Sequence, residues 1–150
     1  MSEKRYEIKF LAIELVSKSL GEPPKEKIEE LEFTFTFLVD LRVHPERKIA
    51  AVITDTTILK VLDKEQVAFF KILCAFELPD FDQIFKKVDE NKYDTPVELE
   101  ILLKSTGLST MRGIIYSELR GTYLQNAILP LIDIASLVKK NKKSKVDKAE

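Results

Sequence analysis

The sequence predicts an α+β fold: a four-stranded antiparallel sheet, then a long helix and a short C-terminal helix, with sheets joined in an oligomer. Three observations carry this. Leu31, Phe33, Phe35, Phe37, Val39, Leu41 and Val43 are apolar at every second position, and mostly polar residues lie between them. That period of two belongs to a strand with one apolar face. Three other segments read as strands and are separated by turn residues. After Tyr93 the apolar spacing changes to three and four, the period of a helix. Strands grouped ahead of helices are the mark of an α+β arrangement.

The first strand lies within Tyr6 to Leu20. Tyr6, Ile8 and Phe10 share one parity and Leu11, Ile13 and Leu15 the other, so one bulge or bend is expected between them. Gly21-Glu22-Pro23-Pro24 ends it. Leu31 to Val43 is the second strand, spanning about 40 Å if fully extended. His44-Pro45-Glu46-Arg47 is a turn, and the β-branched run from Ile49 to Val61 is the third strand. Asp63-Lys64-Glu65 is the next turn. Val67 to Leu78 is a fourth strand, apolar on nearly both faces. The short connections make the second, third and fourth strands antiparallel neighbours. Residues 80–94 are expected to be a loop with some short structure.

Thr95-Pro96-Val97-Glu98 reads as a capping box with proline at the first helical position. The helix runs to Ser105, and Gly107 suits a left-handed end. A second stretch carries Leu108, Met111, Ile115 and Leu119, and Gly121 ends it. The two stretches are read as one helix broken or kinked at Gly107. Asp133 is the expected N-cap of a last short helix holding Ile134, Leu137 and Val138, with lysines at its C-terminal end.

The chain has 150 residues, 45% hydrophobic and 33% charged, with a net charge of -1. One domain over residues 1–138 is expected, followed by a lysine-rich tail, residues 139–150, without apolar periodicity. The tail carries a charge of about +4, leaving the body at about -5. It reads as a solvated terminus, and nucleic-acid binding through it alone would be weak and salt-sensitive. With one histidine and one cysteine, no disulfide framework, cysteine-rich zinc site or histidine-rich metal site can be built in one chain. No phosphate-binding glycine loop is present. No cofactor is expected. The N-terminus is unlike a signal peptide and no apolar stretch is long enough to span a bilayer. A cytoplasmic protein without membrane insertion is therefore expected.

Candidate chemistry is sparse. His44 reads as a solvent-exposed turn residue, and Cys74 as a structural thiol on a buried strand. Thr54, Asp55, Thr56 and Thr57 are read as an exposed sheet face. Arg112 and Arg120 are read as surface ion-pair partners. Phe33, Phe35 and Phe37 are core, or else the floor of a groove open to apolar partners. Nothing favours a catalytic carboxylate pair, and the chain is read as a non-enzyme.

Ser109 to Val138 carries a resemblance to a known family. Arg112 resembles a helix arginine, Arg120-Gly121-Thr122-Tyr123 the link after that helix, and Leu129-Pro130 the step before the last helix. Ser19-Leu20-Gly21-Glu22-Pro23 is similar to the end of the family's first strand. Together these resemble the bacterial SecB and SecB-like protein-export chaperones. The resemblance implies an ATP-independent holdase that binds unfolded or pre-export polypeptides in long apolar grooves. It implies a homotetramer built as a dimer of dimers. Phe33, Phe35, Phe37, Ile134, Leu137 and Val138 are the candidate client contacts. The family's docking on the translocase motor SecA uses an acidic sheet surface. Here the acidic excess is mild and the tail basic, which weighs against that partner and leaves a dedicated client, such as an antitoxin, open. The reading from a different class is an adaptor or structural subunit whose sheet serves only oligomerisation.

Overall fold

The computed structural model describes residues 5–90 and 92–140. Four strands of twelve residues each, β1 (Lys9–Leu20), β2 (Phe33–His44), β3 (Ile49–Lys60) and β4 (Gln66–Glu77), form one antiparallel sheet. The order is β1-β4-β3-β2. The turns joining β2 to β3 and β3 to β4 place Lys48 and Lys64 at positive φ. The connector from β1 to β2 passes from one edge of the sheet to the other. It is tied down at both ends: the Gly21 amide donates to the Val67 carbonyl at 2.7 Å, and the Val61 amide to the Glu32 carbonyl at 3.0 Å.

Register sorts the side chains. Phe37, Thr56, Phe70 and Lys18 form one row across the sheet; Leu41, Val52, Cys74 and Ile13 form another. Both rows lie on the face covered by helix. The phase flip in β1 is present as an irregularity between Phe10 and Ala12, and a second lies between Leu15 and Ser17. The first slip brings Phe10, Ile13 and Leu15 to the same face as Phe76, Cys74 and Ile72, and the second returns Lys18 and Leu20 to that face beside Phe70 and Ala68.

Residues 80–94 are more ordered than the sequence suggests. A single helical turn, α1 (Phe81–Ile84), leads into a small hairpin of β5 (Lys86–Asp89) and β6 (Lys92–Asp94). Phe81 and Phe85 are buried. Phe81 stacks on Phe85 with centroids 4.4 Å apart and meets Tyr93 edge-on at 5.8 Å. Three aromatic rings anchor a segment in which, of the other side chains, only Ile84 and Val88 are apolar, and this sparse pattern hid its structure from periodicity.

The helix α2 (Val97–Leu119) is continuous, against the expected break at Gly107. Gly107 faces the sheet, where a Cβ would lie 2.7 Å from Cγ1 of Val52. The glycine thus serves close approach of helix to strand rather than a left-handed end. Its intrinsic cost in a helix, about 1 kcal/mol, is small beside the packing around it. Leu99, Leu103, Leu108, Met111, Ile115 and Leu119 are buried along the same face, each worth about 1.5–3 kcal/mol when fully removed from water. Pro96 occupies the N-cap and Val97 begins the helix, one residue later than the capping-box reading. Gly121 follows the helix at φ +78°.

A last helix, α3, covers 134–140. Asp133 caps it as expected: the Ser136 amide donates to Oδ1 at 3.2 Å and the Ser136 hydroxyl to Oδ2 at 2.6 Å. These bonds hold the Asp133 carboxyl below the usual carboxylate range. Most of the lysine-rich tail, residues 141–150, lies outside the described residues.

Candidate functional site: an apolar groove on the long helix

The outer side of α2 meets the connector that follows it. Ser109, Arg112, Gly113 and Tyr116 from the helix, with Ala127, Ile128 and Leu129 from the connector, line a groove of about 280 Å³. Leu129 turns into the core, while Tyr116 and Ile128 stay largely exposed. Their side chains form apolar walls that the chain itself leaves in water. Arg112 Nη2 donates to the Pro130 carbonyl at 3.4 Å, tying connector to helix. The arginine expected in a surface ion pair makes a main-chain hydrogen bond instead. No helix among the described residues is long and apolar enough to cross a membrane.

The sequence-derived contact residues are divided between several places. Phe33, Phe35 and Phe37 sit on the helix-facing side of edge strand β2, half-buried and packed against the core. The Phe35 and Phe37 rings are 6.4 Å apart and nearly parallel. Ile134 and Val138 are buried in the core, and Leu137 on the same helix is exposed. None of these six lines the groove on α2.

The other singled-out residues have structural surroundings. His44 is exposed at the end of β2. Cys74 is buried facing α2, and burial pushes its thiol up, partly opposed by a hydrogen bond with Thr110. The threonine cluster is split by the pleat rather than exposed together. Thr54 and Thr56 are buried, and the Thr56 hydroxyl donates to Sδ of Met111. Asp55 turns to the opposite face, 3.8 Å from Lys71. No group of three or more His, Cys, Asp or Glu side chains able to hold a metal occurs among the described residues.

The most concentrated charge lies at the opposite end of β3. Lys60 is almost wholly buried, with its ammonium 3.1 Å from Asp63, 3.2 Å from Glu65 and 3.5 Å from Glu26. The hydrogen bond to Asp63 is the main cause holding Lys60 above the usual lysine range; burial opposes it, and Glu65 and Glu26 add to it. Asp63 is held below the carboxylate range, chiefly by the Glu65 amide and then by Lys60. This cage joins the β1–β2 connector to the β3–β4 turn.

Sequence reasoning placed Arg112 and Leu129 in the family resemblance but missed the groove. The available signal was Ser109, Gly113 and Tyr116 on the side of the helix away from Leu108, Met111 and Ile115, with the apolar pair Ile128-Leu129 just before Pro130.

No protein-family model matches the sequence, and no curated protein matches it. Solved structures do match. One is a SecB-like chaperone. It is Rv1957 of Mycobacterium tuberculosis, solved in complex with a ChAD peptide from the Rv1956 HigA1 antitoxin. Identity to it is 16%, over 85% of this chain and 86% of that one, with a TM-score of 0.48.

Proposed function

We propose that this chain is a SecB-like, ATP-independent holdase of the cytoplasm that binds unfolded polypeptides on open apolar surface. The observation that carries the reading is the groove on α2, whose apolar walls at Tyr116 and Ile128 remain in water. Exposed apolar surface in a concave setting suits an extended chain, which gains affinity from several weak contacts along its length. The aromatic side of β2 and the exposed Leu137 of α3 offer further contacts. The working unit is residues 1–138, with residues 139–150 as an appended basic tail. The proposed assembly is a homotetramer, a dimer of dimers, with sheets joined along β1. That edge strand leaves Phe10, Leu11, Ile13, Val16 and Leu20 about half exposed, a surface that favours pairing with a second chain.

The test is light scattering of a reduced, aggregating client with and without the full chain, in the absence of ATP, alongside its solution mass. Suppression near one oligomer per client is expected. A well-folded oligomer that suppresses nothing would point instead to an adaptor whose apolar surface serves assembly alone, or to a chaperone of one dedicated client such as an antitoxin.

A further inference from the structure

The groove on α2 contains an unsatisfied donor. Arg112 Nε is covered from water and has no hydrogen-bond partner among the described residues. A buried N–H without an acceptor costs free energy, and most such groups in folded chains are paired. The guanidinium's other bond, to the Pro130 carbonyl, is long at 3.4 Å. It holds the planar group loosely at the seam between helix and connector. Beside it, a Cβ at Gly113 would meet nothing within 4 Å. The helix surface there is open to the backbone of another chain as well as to its side chains.

We infer that Arg112 takes a main-chain carbonyl of the polypeptide held in the groove, while Tyr116 and Ile128 take the flanking apolar side chains. This rests on the proposed function and names the chemistry of its ligand: an extended chain presenting a carbonyl between apolar residues. An unfolded chain entering an apolar groove must strip water from its own carbonyls, which opposes binding unless a donor meets them. Arg112 has the complementary deficit. Rotation of the guanidinium away from Pro130 presents two N–H groups from one rigid fork to the two lone pairs of a single carbonyl oxygen. A carbonyl is common to every residue, so this contact adds affinity without demanding a side-chain sequence.

The experiment uses the full chain and a labelled peptide of alternating leucine and threonine, followed by fluorescence anisotropy. A peptide series replaces each carbonyl oxygen in turn with sulfur, a weaker acceptor. One position is expected to weaken binding to the wild type by about tenfold, the worth of one good hydrogen bond. Arg112→Met should bind the parent peptide about tenfold more weakly and be indifferent to sulfur at that position. Arg112→Lys, which keeps the charge but not the fork, should fall between and covers the case in which the methionine variant does not fold. Equal binding of the parent peptide by wild type and folded variants overturns the inference and leaves the holdase reading standing. So does an unchanged penalty for sulfur in the variants. Absence of peptide binding by the wild type overturns the groove as a client site, and the inference with it.

Discussion

Lys60 is the residue at which burial and charge conflict most directly. Removing an ammonium from water is costly, yet three carboxylates within 3.5 Å keep it protonated. The pH dependence follows from the two ends of the pair. Lys60 has a folded pKa raised above its ordinary 10.5, so its contribution is complete below that value and is lost as pH rises through the raised one. Asp63 has a folded pKa lowered from 3.8, so its contribution is complete above that value and is lost as pH falls through the lowered one. The thermal midpoint should therefore be indifferent to this cage between about pH 5 and pH 9. Lys60→Met keeps much of the shape but leaves Glu26, Asp63 and Glu65 facing one another. Its midpoint should fall at neutral pH and recover part of the loss on acidification toward pH ~4, as the carboxylates discharge. A variant as stable as the wild type across that range would show that the cage contributes nothing net.

Among the elements, β2 was the most legible, α2 was read with a break it does not have, and the β5–β6 hairpin was not foreseen. The alternation from Leu31 to Val43 survives as alternating half-buried and exposed side chains because an edge strand under one helix has two different environments. Gly107 misled because glycine has two uses, a left-handed end and a close approach, and only the position of Val52 in space decides between them. The hairpin of β5 and β6 was illegible because Phe81, Phe85 and Tyr93 are held by long-range contact rather than by any local period. The groove was hidden for a related reason. Its two walls are separated in the chain by the turn at Gly121, and pairing Tyr116 with Ile128 needs the fold. Gly107→Ala tests the close approach. The added methyl would have to displace Val52, and a cost of about 1–3 kcal/mol is expected, as for overpacking in a filled core. Chemical denaturation should show it as a lower midpoint with an unchanged slope. A stabilised Gly107→Ala would mean that helix propensity outweighs the contact and that α2 can shift to make room.

At the scale of the whole molecule, β1 carries two opposed signals. Its two irregularities are devices that blunt a sheet edge against pairing, while its five half-exposed apolar side chains favour association. The bulges fall at Leu11 and Val16, the two residues skipped in the register with β4, so these side chains add little to the chain's own sheet. Each side chain still has about half its transfer free energy to gain, roughly 1 kcal/mol. Five from each of two protomers give on the order of 10 kcal/mol, comparable with the 4–15 kcal/mol lost to immobilisation on association. An assembly joined at β1 thus depends on nearly every one of these contacts. Leu11→Lys with Val16→Lys removes four apolar side chains per pair of protomers, about 3–6 kcal/mol, and weakens association by roughly two to four orders of magnitude. Each protomer of the double variant should stay folded, with an unchanged far-ultraviolet circular dichroism spectrum at about 25 °C, since within a protomer surface changes cost about 0.5 kcal/mol or less. The variant's mass by light scattering should drop to a smaller oligomer at micromolar concentration. If the mass holds, the bulges have prevailed, β1 is a free edge, and the proposed tetramer is joined through another surface.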